Sequence, residues 1–462
     1  MKKNIAPWTP EKLQFGCLMV LGVMELALAA FGPGLSYLPY FIVEKFSAVP
    51  ALVFLGSVLV CRQSPLAKRH LLAGIGAVAW ILAAQVMQYV GGEAPENIGM
   101  SWAAYLMVFP FAAVEQERGR GMKWMGGAAA AVGALLTLYA GLLKLGVLAD
   151  GPVYWDGARL NALFHPNITA CLLMMGLAFC LIFCFRVQQR WLKGVLLAAA
   201  ALQFAAVALT NSRTNILMTC ALLAGIVFFC IFRGGWKRLL LGGLAAVVVF
   251  VGAFALTDAL YEAHYNQLVT EYLEEQAAAQ VPEALSPSSA SQASEAEPAV
   301  KLPSQSGQGS LLNDLRTLNG RTVIWGSAFQ AARWNSNILL RGTAYVGTVI
   351  STAQEARGSF PVEHAHNSWV QMLMSFGLPG LMIGLYFGFL ALRGALCLLL
   401  RLDVQLWKKS VALLVLCLLM AGFLEPSLFT GSVFYHFINV IFFLCTGYVD
   451  LWREELRHPE SR

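Results

Sequence analysis

The feature that most limits what this chain can become is a series of apolar stretches, each about 20 residues long, recurring from residue 13 to residue 450. A bilayer core about 30 Å thick is crossed by a helix of ~20 apolar residues. Helices suit that environment because each backbone N–H and C=O is bonded within its own segment. Such stretches lie near 13–31, 37–61, 71–90, 98–114, 124–148 and 166–185, and again near 192–210, 214–232, 237–257, 368–392, 408–424 and 432–450. They leave no room among the 462 residues for a large soluble core. Composition agrees: 13% of residues are charged and 58% hydrophobic, where soluble domains are about a quarter charged. The expected fold is all-α, a polytopic integral membrane protein with about 12 transmembrane helices. The second stretch fits least well, because Pro39, Glu44, Lys45 and Pro50 interrupt it.

The formal net charge of +6 suggests a nucleic-acid or acidic partner until its placement is read. Basic residues fill alternate connectors: Lys2 and Lys3; Arg62, Lys68 and Arg69; Arg118, Arg120 and Lys123; Arg186, Arg190 and Lys193; Arg233, Lys237 and Arg238; Arg393, Arg401, Lys408 and Lys409; Arg453 and Arg457. The connectors between them, such as 91–100 and 425–431, have none. By the positive-inside rule both termini are cytoplasmic, and no nucleic-acid partner is implied. The N-terminus lacks a nearby small-residue cleavage site, so the first stretch is expected to stay as a helix. All ten cysteines lie within or at the ends of apolar stretches, with no disulfide or zinc spacing.

This reading divides the chain into helices one to nine over 1–257, an extracytoplasmic loop over 258–367, helices ten to twelve over 368–450 and a cytoplasmic tail over 451–462. Within the loop, 277–310 is rich in Ala, Ser, Pro, Gln and Glu, cannot bury enough apolar surface to fold, and is expected to be disordered. The flank from Leu311 to Trp334 carries apolar residues at helical spacing and predicts an amphipathic helix.

Five polar clusters fall on the outer side of this topology: Arg159, Asn161, His165 and Asn167; Asn211, Ser212 and Arg213; Asn319, Gly320 and Arg321; Glu363, His364, His366 and Asn367; and Glu425. Polar groups at a membrane boundary are costly unless hydrated or paired, so five together point to a shared hydrated site. Arginines suit bidentate phosphate contacts, and a neutral histidine can take a proton from a hydroxyl. Taken singly, each has a plainer reading. Arg159 or Arg213 would serve as an interfacial anchor, and His165, before Pro166, as a helix cap. His364 and His366 have no ligand set at metal spacing around them. Glu25 and Lys144 receive no role; Lys144 can snorkel and Glu25 can pair with a neighbouring helix.

The run His366-Asn367, nine residues, Gly377, two residues, Gly380 (HNSWVQMLMSFGLPG) resembles the motif of the O-antigen ligase and polymerase superfamily. It closes a long outer loop and opens the tenth apolar stretch, where that family places it. The runs RLNALFHPN, NSRT and GRTVIW also resemble the family, so the similarity spans roughly 155–450, and the 277–310 insertion departs from the usual loop. The resemblance implies a glycosyltransferase of the bacterial cytoplasmic membrane that uses no metal or other cofactor. Its donor would be a glycan on undecaprenyl diphosphate and its acceptor a sugar hydroxyl on a glycan or glycolipid. Carried over residue by residue, Arg213 and Arg321 would hold the diphosphate, with Arg159 a weaker addition, and His366 would deprotonate the acceptor. His364, Asn367, His165 and Glu425 would support them. A ligase and a polymerase share this site and differ in acceptor, so the expectation stays joint. The competing class is a polysaccharide or lipid-linked glycan transporter or flippase, which shares the helix count but places its ligand groups near the midplane, often in paired repeats with broken helices. A scaffold protein with an interaction loop is the third.

Overall fold

A computed structural model describes residues 9–31, 46–60, 64–94, 98–115, 119–147, 153–156, 159–162, 165–279, 321–355, 364–429 and 435–458. The helices are α1 (Pro10–Phe31), α2 (Ala48–Val60), α3 (Pro65–Val90), α4 (Ile98–Val114), α5 (Arg120–Lys144), α6 (Pro166–Cys184), α7 (Arg190–Leu209), α8 (Arg213–Ile231), α9 (Trp236–Ala279), α10 (Arg321–Trp334), α11 (Ser336–Arg341), α12 (Val346–Glu355), α13 (Ser368–Leu400), α14 (Leu406–Leu424) and α15 (His436–Arg457). Between α5 and α6 stands a two-stranded antiparallel hairpin, β1 (Val153–Asp156) and β2 (Arg159–Ala162), with Tyr154 opposite Asn161 and Asp156 opposite Arg159.

Among the described residues eight helices are long and apolar enough to cross a membrane: α3, α5, α6, α7, α8, the Trp236–Glu271 part of α9, α13 and α14. Two shorter apolar helices, α2 and α4, accompany them. The protein is therefore an all-α polytopic membrane protein apart from the small hairpin. Its interior is built on α6 and α15, whose side chains are buried nearly all round, with the aromatic residues of α4 set against α15. Trp102, Tyr105 and Phe109 of α4 meet Phe443 of α15, with Phe387 of α13 and Phe429 completing the cluster. The outer face of α9 is the opposite case. Leu240, Leu244, Val247, Val248 and Val251 stand bare, as a lipid-facing surface does.

Helix α9 departs from the sequence reading. The apolar stretch ends near 257, but the helix runs on to Ala279. Hydrophobicity marks where a span ends; the following Glu-, Gln-, Leu- and Ala-rich residues are strong helix formers and continue the same helix. The expected amphipathic helix begins, among the described residues, at Arg321. Ile324, Ala328, Ala331 and Ala332 line its buried side; residues 311–320, like the expected disordered 277–310 beyond Ala279, lie outside the described residues.

Helix α13 is two helices end to end. At Gly377 the backbone turns to φ 72°, ψ −168°, with Pro379 just beyond. The break leaves carbonyls without their intrahelical partners, and in an apolar setting each must be satisfied by another donor. The carbonyl of Met374 accepts from Thr343 N (2.7 Å), that of Ser375 from Gln88 Nε2 (2.7 Å) and that of Phe376 from Trp80 Nε1 (3.0 Å). Gln88 also donates to the carbonyl of Arg341, and Glu93 accepts from Thr343 and Ala344. Helix α11 is thereby held against the break by the end of α3. The approach is so close that a side chain at Gly377 would meet the Leu340 carbonyl oxygen at 2.6 Å. The glycine of the sequence motif thus has a backbone role.

Toward the other ends of α3 and α13, the buried carboxylate of Asp450 on α15 accepts from Arg69 (2.7 Å), His70 (2.9 Å), Arg393 (3.3 Å) and Arg453 (2.9 Å). Glu25 of α1 pairs with His436 of α15, and Lys144 of α5 with His264 and Gln267 of α9. Both belong to helix pairing.

Gly377→Ala forces a left-handed backbone on a residue with a side chain, a cost of roughly 1–3 kcal/mol, and adds the contact with Leu340. The expected result is a lower melting temperature of the purified protein in detergent, larger again for Gly377→Val. Gly127→Ala on α5, where a side chain meets nothing within 4 Å, is expected to leave it unchanged.

Candidate functional site

The site begins with the turn that precedes α13. His366 adopts φ 48°, a left-handed conformation that costs a non-glycine residue roughly 1–3 kcal/mol, and its neighbours hold it there. Trp325 Nε1 of α10 donates to the Ala365 carbonyl (3.0 Å), and the Ala365 amide donates to Gln371 Oε1 (3.0 Å). Asn367 caps α13: its Oδ1 accepts from the amides of Trp369 (2.9 Å) and Val370 (3.1 Å), while its Nδ2 donates to the Phe423 carbonyl (2.9 Å). Asn and Ser are favoured caps because their side chains satisfy the orphan amides of a first turn. The His-Asn pair is therefore one unit: Asn367 starts the helix, and the turn before it presents His366.

Glu425, which follows α14, is the centre of the constellation. Its Oε1 accepts from the Arg321 guanidinium and from Asn167 Nδ2 (2.9 Å). Its Oε2 lies 3.6 Å from His366 Nδ1, within ion-pair range but beyond a hydrogen bond. The Ser368 hydroxyl donates to the Glu425 carbonyl and accepts from the Leu428 amide, both at 3.0 Å, which fixes the segment after α14 on the start of α13. Burial pushes the Glu425 carboxyl upward, but the His366 ring beside it, the Arg321 charge and His165 together outweigh that and hold it below its ordinary value. His364 stacks obliquely on His366, ring centroids 4.2 Å apart. Burial pushes its imidazole down to about 4, and His366, His165 and Arg321 push the same way against Glu425.

A second group gathers around α8. Arg213 lies within electrostatic range of Arg159, Asp258 and Tyr261, and Tyr261 is hydrogen-bonded to Asn211. Arg159 on β2 donates from Nε to the Thr210 carbonyl (3.3 Å), just ahead of α8. The two groups are joined through Asn167, whose Oδ1 accepts from the Ser212 hydroxyl (2.7 Å) and whose carbonyl accepts from Asn215 Nδ2 (2.9 Å). His165 caps α6 by accepting from the Asn167 amide at 3.2 Å, the plainer role read for it from sequence, while its charge also reaches His364 and Glu425.

The structure thus brings Arg321, His364, His366, Asn367, His165 and Glu425 together. It places Arg213 and Arg159 in an adjoining cluster linked by Asn167. Asn319, Gly320 and Glu363 lie outside the described residues. Sequence reading missed Asn215 and Ser368, whose one signal is a polar residue in or opening an apolar helix, and it gave no role to the Asn167 link. Among the described residues no three His, Cys, Asp or Glu side chains converge as metal ligands.

Residues 198–385 match the family model described as O-antigen ligase. Over that segment, which is less than half of the chain, the protein is similar to the O-antigen ligase family. The matched segment contains Arg213, Arg321, His364, His366 and Asn367, whereas Arg159, His165, Asn167 and Glu425 come from outside it. No curated protein matches the chain.

An acid-sensitivity follows from the two shifted groups. His364 in the folded protein titrates well below the 6.5 of a free histidine, and Glu425 below an ordinary glutamate, so the unfolded chain takes up both protons first as pH falls. Stability is expected to decline from pH ~6.5 toward about 4 through His364, and further through the carboxylate range through Glu425. Thermal unfolding in detergent across pH 8 to 4 measures this, and His364→Gln is expected to flatten the decline between 6.5 and 4.

Proposed function

We propose that this O-antigen ligase-type membrane protein transfers a glycan from undecaprenyl diphosphate to a sugar hydroxyl at the outer face of a bacterial cytoplasmic membrane. The observation that carries the reading is the pairing of a partly exposed histidine, His366, with a set of arginines drawn from separate segments of the fold. In the reaction the acceptor hydroxyl oxygen bonds to the anomeric carbon as its proton passes to His366. The bond from that carbon to the diphosphate breaks, and the lipid diphosphate leaves with the electron pair. The developing charge is then on phosphate oxygens, and fixed cations aimed at it lower the barrier. Arg213 and Arg321 fill that role, with Arg159 behind Arg213. Their guanidinium forks match phosphate oxygens bidentately. His364, held neutral, leaves His366 as the ring that takes the proton; Asn367, His165 and Glu425 hold the frame.

The same reading sets the twelve-span topology with both termini cytoplasmic, the outer segment over 258–367 and the division of the chain on either side of it. It is supported by the alternation of basic connectors and by the position of the polar site at the ends of α6, α8, α13 and α14. A ligase passes the finished glycan to a lipid-core sugar or protein, and a polymerase to the next lipid-linked repeat. The break in α13 is a feature that carriers also have. Here the carbonyls of Met374, Ser375 and Phe376 are taken by Thr343, just after α11, and by Gln88 and Trp80 of α3, which favours a fixed enzyme site over a permeation path.

His366→Ala is expected to lower transfer about 10²–10⁴-fold, the usual contribution of a positioned base, with the protein level unchanged; retained activity would sink the assigned role. Deleting the gene in its native host and measuring glycan length on undecaprenyl diphosphate separates the two reactions. Single repeats accumulate if the protein is the polymerase, and full-length chains are stranded on the carrier if it is the ligase. An unchanged profile with normal surface glycan would refute glycosyl transfer.

A further inference from the structure

Glu425 is used unevenly. Oε1 carries the Arg321 guanidinium and the Asn167 amide, while Oε2 makes no hydrogen bond among the described residues. The atom facing it, His366 Nδ1, makes none either, and the two stand 3.6 Å apart. Glu425 is 2% exposed, so water does not make up the deficit. Two polar atoms left unmatched at a fraction of an ångström beyond bonding distance are each destabilising, and the cost is recovered by a small rotation that closes the gap. What holds the carboxylate back is its other oxygen, pinned by Arg321. Arg321 is 16% exposed and opens α10, so it can be reached by an anion. A guanidinium bonds a phosphate as readily as a carboxylate.

We propose that Glu425 is a positioning residue gated by the donor: a diphosphate draws Arg321 away, and the freed carboxylate closes on His366 Nδ1. Once closed, Glu425 accepts the Nδ1 proton and fixes the tautomer in which Nε2, on the opposite edge of the ring, has the free electron pair. It also stabilises the imidazolium formed when Nε2 takes the acceptor's proton, the service a carboxylate renders a catalytic histidine elsewhere. Without donor, Arg321 holds the Glu425 carboxylate and keeps it from closing on His366. The donor therefore arms the base that activates its own acceptor. This inference rests on the diphosphate role of Arg321 given above, and it deepens that reading.

Among the described residues, the charged and titratable groups around His366 and the Glu425 and His364 side chains it meets are Arg321 on α10 and His165 at the cap of α6. The test follows the His366 titration in the full-length protein, labelled with ¹⁵N-histidine in detergent and assigned by the signal lost in His366→Gln. Inorganic diphosphate is the probe, with its binding measured by calorimetry. In the wild type, bound diphosphate is expected to raise the His366 midpoint by about one pH unit, a tenfold gain in proton affinity, and in Glu425→Gln by much less. Arg321→Gln is expected to raise the midpoint with no ligand present, and adding Glu425→Gln to it is expected to bring the midpoint back down. Because that pair needs no ligand, it decides the matter even if Glu425→Gln alone binds diphosphate poorly. An equal shift in Glu425→Gln would show only the direct field of the bound anion and overturn the gate. So would binding with no shift, or an Arg321→Gln midpoint equal to that of the wild type. Absence of diphosphate binding to the wild type would overturn the diphosphate reading itself, and the gate with it.

Discussion

Backbone polar groups inside a bilayer have to be satisfied by protein, and in this molecule the break at Gly377 turns that requirement into architecture. Three carbonyls of α13 find their donors on α3 and just after α11, so the first half of α13, α11 and the end of α3 form one block. The direction of the half-helix Ser368–Phe376 is set by this block. Its first residues place Asn367 and the turn bearing His366, and its Ser368 hydroxyl fastens the segment that carries Glu425. An unbroken helix would have offered no free carbonyls to α3 or to Thr343. The spacing from His366 to Gly377 is the length of one short helix between its cap and its break.

Charge is handled differently at the two ends of the bundle. Away from His366, Asp450 is surrounded by Arg69, His70, Arg393 and Arg453, a closed set in which three helices share one carboxylate. Breaking a buried set of this kind leaves uncompensated charge, so it behaves as a clamp. Around Glu425 the set is open. Arg321 and His366 keep part of their surface accessible, and one carboxylate oxygen is left without a bond. The same physics, a carboxylate among cations in a low-dielectric interior, makes a fixed joint at one end and an adjustable one at the other.

Much of the membrane character was legible in the sequence because hydropathy reports directly on what a span requires. The helices over 166–184, 190–209 and 213–231 fall within a residue or two of the apolar stretches that announced them. Helix α9 was misjudged in length because its apolar part ends before its helix-forming part does. The hairpin at 153–162 was overlooked, although Asp156-Gly157 between two β-prone runs is a turn signal; its four-residue strands are easily lost beside helices five times longer. Among site residues, the histidines and arginines stood out because ionisable groups are rare in such a chain. Asn215 and Ser368 did not, since a single buried amide or hydroxyl in an apolar helix has no periodic signature. The Asn167–Glu425 bond spans 258 positions, and no local pattern foretells a contact of that separation.

That separation also gives the constellation a history. Chains are synthesised at roughly 5–20 residues per second, so roughly 13 to 50 seconds pass between the emergence of Asn167 and that of Glu425. During the last part of that interval Arg159, Arg213, Arg321 and His366 all exist in one nascent chain, without the carboxylate that ties Arg321 and Asn167 together. The centre is thus completed only when the segment after α14 emerges, and until then a ribosome-bound precursor holds cationic and imidazole groups that have not yet been set in register.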